Sequence, residues 1–250
     1  MKMVLSALDA AARAAWMEAA RRLALSDHAA GFDEAWRIVG NVPGWLNATD
    51  AATLWGVVAE LRPSTAVEIG SYLGRSTSLL ALAARRFCSH EATVHAIDPH
   101  TGDRQQLEAL GVETLPSLDL FRLHLRAADL DNIVIEHVEK SDIVARSWVA
   151  PIDLLYVDGW HSYEAVYADT VNFGSHLSSG GVVCFDDYGQ YQDVRSVAEE
   201  ACRELGLNWY GVTTLQAWAG KPDQCPRTLE RVTRISQLPL ALRRIRQWSR

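Results

Sequence analysis

IDLLYVDGWHSYEAVYADTVNFGSHLSSGGVVCFDD, residues 152–187, contains two apolar runs that end in acids: IDLLYV leads into Asp158, and GGVVCF into Asp186 and Asp187. Near-continuous apolar runs of this length are the mark of strands buried on both faces of a parallel sheet. As neighbouring parallel strands they would bring three carboxylates to one sheet edge, where open α/β sheets bind their ligands. The stretch 161–178 between them reads as the crossover helix.

The same alternation extends outward. Short runs rich in β-branched or apolar residues occur at 65–70, 93–98, 132–138, 152–158, 180–187 and 207–214, with a last one near 215–219. Helical stretches at 74–87, 103–126 (interrupted at Pro116), 141–148, 161–178 and 191–205 separate most of them. This predicts an α/β fold, a doubly wound, Rossmann-like, seven-stranded and mostly parallel sheet. Ahead of it, helices are expected at 7–24, which is Ala-rich, near 33–39 and near 50–61. NVPGWLNATD (41–50) carries turn residues around Trp45, with Thr49 or Asp50 placed to cap the next helix. No linker or repeat divides the 250 residues. The expectation is one domain: an N-terminal helical extension or lid (1–62), a core (63–220) and an Arg-rich C-terminal tail (221–250).

A net charge of -7 argues against a phosphate backbone as partner, so nucleic acid is not expected. Residues 225–250 are the local exception, with seven Arg against Glu230 alone; they read as solvated Arg on a terminal helix, or as a membrane-surface or partner-docking tail. Cys88, Cys184, Cys202 and Cys225 form no CxxC pair, which suits a reducing cytosol. With no signal-like segment and no apolar stretch near ~18 residues, a cytoplasmic chain without a membrane span is expected.

VEIGSYLGRST (67–77) follows the first strand and opens a helix, with Gly70 and Gly74 giving the tight turn and close backbone approach that a ligand needs. It is not a dinucleotide fingerprint: the glycines are four apart, Ser71 holds the middle position, and Asp98 lies 28 residues after Gly70. Nor is it a phosphate loop, being one residue short with Arg75 where the Lys should be. Glu68 just before the turn would repel a pyrophosphate and suits a cationic amine, which favours an amino-acid-bearing nucleoside. Asp98 is placed to accept hydrogen bonds from a ribose diol. Taken singly, Glu68 and Asp98 could equally cap turns.

VEIGSYLGRST, the acid of VHAIDPHTGD (94–103) and the segment running from Ile152 to Tyr188 together resemble the class I S-adenosylmethionine-dependent methyltransferases. Within that class the chain is most similar to the metal-dependent O-methyltransferases acting on macrolide sugars and the cephamycin nucleus, with catechol O-methyltransferase more distant. The resemblance covers about 65–190. It implies that Glu68, Gly70, Ser71, Tyr72, Gly74 and Ser76 line the methionine end of S-adenosyl-L-methionine, that Asp98 holds the ribose, and that Ser141 and Asp142 of HVEKSDIV (137–144) meet the adenine.

Asp158, Asp186 and Asp187 are hard oxygen donors without nearby Cys or a His pair, which favours Mg²⁺ over zinc. The alternative for each acid is an ordinary Asx turn, with Gly159 and Gly189 nearby. His161 follows Asp158 by three residues on a turn that can aim it at the substrate, and its offset matches the family's general base. The cation would orient acceptor oxygens and lower the hydroxyl pKa, and His161 would take the proton.

Nine Trp are more than a core of this size needs. Trp45, Trp160 and, less directly, Trp209 or Trp218 are candidates for stacking on a sugar, with Tyr188, Tyr191 and Gln192 bordering the same pocket. Trp45 and Leu46 also mark a candidate lid. The reading is a Mg²⁺-dependent O-methyltransferase acting on a hydroxyl of a saccharide, glycoside or related natural product. A catechol-like phenol acceptor and a non-catalytic nucleotide-binding subunit are the alternatives. The helical N-terminus and the tail both offer surfaces for a homodimer.

Overall fold

The computed structural model describes residues 30–102, 116–212 and 216–220. The helix expected at 7–24, the first part of the 103–126 helix, Cys225 and the Arg-rich tail lie outside the described residues. Helix α1 (Phe32–Val39) turns Phe32, Ala35, Trp36 and Val39 inward, the i, i+3, i+4, i+7 stripe of an amphipathic helix. Helix α2 (Ala48–Leu61) starts earlier than expected, because Asn47 and not Thr49 or Asp50 is the cap: its Oδ1 accepts from the N–H groups of Thr49 and Asp50 at 2.9 and 3.1 Å.

From there strands and helices alternate: β1 (Thr65–Ile69), α3 (Arg75–Phe87), β2 (Thr93–Ile97), α4 (Ser117–Ala127), β3 (Val134–His137), α5 (Ser141–Ala145), β4 (Ile152–Val157), α6 (Tyr163–Gly174), β5 (Leu177–Phe185), α7 (Gln192–Glu204), β6 (Asn208–Val212) and β7 (Ala217–Gly220). The strands form one seven-stranded sheet in the order β3-β2-β1-β4-β5-β7-β6. The first five are parallel; β7 runs antiparallel between β5 and β6. The expected doubly wound, mostly parallel sheet is therefore present. Strand β5 begins earlier than the sequence suggests. Its first residues bulge, pairing Leu177 with Ile152 and Val182 with Leu154, and Gly180 at φ 82° makes the bend.

Apolar layers cover both faces. Trp55, Leu79 and Leu80 from α2 and α3 pack with Tyr156, Cys184 and Trp218 on one side. Val166, Phe173 and Val197 from α6 and α7 pack with Val67, Leu155 and Val183 on the other.

Register sets the site. Ile97, Ile69, Val157 and Phe185 lie on one rung across β2, β1, β4 and β5. The next residues, Asp98, Gly70, Asp158 and Asp186, therefore emerge side by side. The ladder continues through them: Asp98 N donates to His137 O, Gly70 N to Ile97 O, Asp158 N to Ile69 O and Asp186 N to Val157 O, at 2.9 to 3.1 Å.

Candidate active site

A cleft of about 1260 Å³ opens at this edge, over the β1–β4 boundary where the strand order reverses. Sites for one small ligand usually span roughly 300–1,000 Å³, so this space suits a nucleoside together with an acceptor.

At its floor β1 and β4 nearly touch. A Cβ on Gly70, whose φ is 91°, would lie 2.1 Å from the carbonyl oxygen of Asp158, so only glycine fits there. Gly74, at φ 87°, precedes α3 and leaves room for the Phe121 ring. Between the glycines, Tyr72 holds φ 46° and donates its N–H to Asp98 Oδ2 at 2.8 Å; Asp98 Oδ1 accepts from the N–H of His100 at 2.7 Å. Asp98 thus knits the two loops together, and each of its oxygens keeps a further lone pair for a ligand.

Of the residues expected at the cofactor, Gly70, Ser71, Tyr72, Ser76, Asp98, Ser141 and Asp142 all line the cleft. The hydroxyl of Ser71 is buried without a hydrogen-bond partner. Glu68 and Gly74 are not in the lining. Alternation along β1 turns Glu68 toward α3, where it is fully buried and accepts a hydrogen bond from the Thr77 hydroxyl, leaving Oε1 unpartnered. Burial pushes its carboxyl up to about 7, with the Ser76 and Thr77 hydroxyl bonds pulling the other way and Asp98 and Asp186 adding to the rise.

Across the β4–β5 edge, Asp158, His161 and Asp187 present donor atoms that all lie within 4.8 Å of one another. His161 Nε2 lies 2.9 Å from Asp187 Oδ2, and its ring stacks on Tyr191 at 4.3 Å. All three expected ligands, Asp158, Asp186 and Asp187, line the cleft. His161 joins the cluster, while Asp186 sits deeper, 8% exposed, with Oδ1 unpartnered and hydrogen bonds to Tyr156 and Gln216. Burial and then Asp187 raise the Asp186 carboxyl to about 7, and burial with Asp186 beside it raises Asp158. Two carboxylates beside an imidazole, with the unpartnered Oδ1 of Asp186 buried below, are a hard-donor set that fits a divalent cation.

The aromatic residues divide. Trp45 (66% exposed) and Trp160 (57% exposed) line the cleft, as do Leu46 and Tyr191, and Trp45 packs on Tyr72 with ring centres 5.2 Å apart. Tyr188 does not: its hydroxyl donates to Glu199, Arg195 lies over its ring, and it packs on Trp209 of β6. Trp218 is fully buried in β7, and Gln192 opens α7 outside the lining. In these two positions the strand and the helix claim the residue before the pocket can.

Asp169 was not anticipated from sequence. It lies on the sheet-facing side of α6, 5% exposed, accepts a hydrogen bond from the Ser141 hydroxyl and lines the cleft; burial raises its carboxyl to about 6. An acid among Val166, Thr170 and Phe173 on a buried helix face was the available signal. His100 also lines the cleft, at φ 52° and with a buried, unpartnered Nδ1.

Residues 67–188 match the family described as "Methyltransferase domain". Similar solved structures include the O-methyltransferase NovP (18% identity, 70% of this chain and 80% of that one, TM-score 0.59). An O-methyltransferase from Bacillus cereus in complex with SAH matches at 16% identity, over 76% of this chain and 90% of that one, TM-score 0.56. The O-methyltransferase TomG from Streptomyces achromogenes, involved in tomaymycin synthesis and bound to SAM, matches at 14% identity over 76% and 87%, TM-score 0.52. At these identities the likeness to the solved structures is one of fold. Taken with the family match over residues 67–188, it agrees with the cleft at the switch point: the core of the chain is similar to methyltransferase domains in sequence and in fold.

Proposed function

We propose that the chain is a Mg²⁺-dependent O-methyltransferase whose acceptor is a hydroxyl of a saccharide, glycoside or related natural product. The observation that carries this reading is the cluster of Asp158, His161 and Asp187 on the cleft floor, with Asp186 beneath it. Asp158 and Asp187, supported by Asp186, would hold the cation, and bound Mg²⁺ would supply Lewis acidity that acidifies a coordinated hydroxyl. S-adenosyl-L-methionine supplies a methyl group on a sulfonium.

The chain's own residues bind and orient. Ser71, Tyr72 and Ser76 border the methionine end, Asp98 the ribose, and Ser141 with Asp142 and Asp169 the adenine. An acid-lined cleft attracts a cationic cofactor. His161 takes the acceptor proton: with Nε2–H held by Asp187, its Nδ1 is the ring's lone-pair acceptor. With cofactor and acceptor bound, what these residues would contribute is the holding of the two reactants in line, so positioning would dominate the rate. Trp45 and Trp160 offer flat faces to a polyoxygenated ring, and residues 43–47 border the cleft from the side where a lid would lie. NovP and TomG, similar in fold, are O-methyltransferases, the latter involved in making a natural product.

The test is transfer of labelled methyl to a panel of glycosides and a panel of catechols, with Mg²⁺ or with excess chelator. Turnover of glycosides that chelator abolishes is expected. Turnover of catechols alone would move the acceptor class, and full activity in chelator would remove the cation.

A further inference from the structure

We propose that Arg75 is a positioning residue that clamps the 40–47 segment over the methionine end of the cleft; the consequence for ligand affinity rests on the cofactor reading above. Arg75 is the first residue of α3, where the helix dipole disfavours a cation, and no acid stands in that first turn to compensate. Its guanidinium is instead turned to the opposite pole of α1. Nε donates to Val39 O at 3.3 Å and Nη2 to Gly40 O at 2.7 Å, the last carbonyls of that helix, and Nη1 donates to Gly44 O at 2.6 Å. Three carbonyls on one planar fork is a geometry Lys cannot reproduce. The guanidinium also lies 5.4 Å from the centre of the Trp36 ring.

The loop is shaped to this side chain. A Cβ on Gly44 would come within 3.2 Å of the Arg75 Cβ and 3.3 Å of its Cδ. The next residue, Trp45, reaches over the cleft onto Tyr72, whose N–H bonds Asp98. One side chain thus connects the end of α1, the Trp45 wall and the glycine turn beneath it. The position that a phosphate loop would give to an anion-binding Lys is used here to lock a wall.

The test compares wild type, Arg75→Ala and Arg75→Lys by hydrogen exchange of the 40–47 peptide, by S-adenosylhomocysteine affinity in calorimetry, and by the split between KM for the cofactor and kcat. In Arg75→Ala, faster exchange confined to 40–47 and the end of α1 is expected, with β1 and β4 protection unchanged. The dissociation constant and KM should each rise about tenfold, the scale of one lost charge-assisted bond, with kcat changed less. Millimolar guanidinium should restore part of the affinity. Arg75→Lys should fall between the two, and it carries the same test should Arg75→Ala not fold. Unchanged 40–47 exchange and affinity would overturn the clamp, as would an equal loss of protection across the whole sheet. Exchange is read without ligand, so a wild type that fails to bind S-adenosylhomocysteine would count against the cofactor reading while the 40–47 exchange still judged the clamp.

Discussion

Five non-glycine residues among those described hold a left-handed φ, and three of them, Tyr72, His100 and Asp187, line the cleft. Each such position costs on the order of 1–3 kcal/mol unless its surroundings hold it, and strain of this kind gathers where function needs a side chain aimed. Asp187 is the sharpest case, since its turn directs one carboxylate at His161 and at the open space beside Asp158. Asn tolerates the same backbone but lacks the charge. Asp187→Asn should therefore keep wild-type thermal stability in the absence of cation, while Mg²⁺-stimulated turnover falls on the order of a hundredfold, as for loss of one electrostatic partner in a site. Melting curves and a Mg²⁺ titration of methyl transfer check this; undiminished stimulation would remove Asp187 as a ligand. His161→Ala probes the adjacent role. A lowered rate with the Mg²⁺ requirement intact supports the base, whereas loss of Mg²⁺ affinity itself would make His161 a ligand.

At the scale of elements, what the sequence showed was what depends on local pattern. The apolar runs ending in Asp98, Asp158 and Asp186 are strands because short aliphatic runs bounded by turns admit little else. Their order along the chain fixed the parallel sheet. Contacts between distant segments were not legible. Arg75 looked like a failed phosphate ligand, its partners lying 31 to 36 residues earlier. Asp169 looked like one polar residue of a helix until α5 brought Ser141 against it. Tyr188 sat beside the right acids, yet the turn sent its ring to Trp209 and Arg195. The glycine turn is the element where sequence and packing agree most closely, and it yields a stability prediction. In Gly70→Ala the new methyl would meet the Asp158 carbonyl at 2.1 Å, and that atom is backbone in a strand end that cannot give way. Urea unfolding should show a loss above about 3 kcal/mol, in the range reserved for overpacking and forced backbone. A loss under about 1 kcal/mol would mean that the β1 and β4 ends are not in close contact.

For the whole molecule, the carboxylates gathered at one edge make stability depend on pH in a way that Glu68 reports cleanly. Its folded value, about 7, lies above the ordinary 4.5, so the folded state retains a proton that the unfolded chain has released. That contribution is complete below about 4.5 and is lost as pH rises through about 7, amounting to roughly 3 kcal/mol. Asp169, raised to about 6, adds with the same sign. His95 acts oppositely: burial and the neighbouring His137 lower it to about 4, so folding holds it neutral where the unfolded chain is protonated, and stability is gained as pH rises from about 4 to 6.5. The raw stability curve therefore mixes two signs, and the informative quantity is the difference between wild type and Glu68→Gln. Gln cannot ionise and can still accept from the Thr77 hydroxyl. Between pH 4.5 and pH 8, without divalent cation, the variant should gain on wild type by several degrees in Tm, most of the change falling below pH 7.5. Parallel curves for the two proteins would show that the buried carboxylate keeps its ordinary pKa, and that the negative field at this sheet edge is already compensated in the free protein.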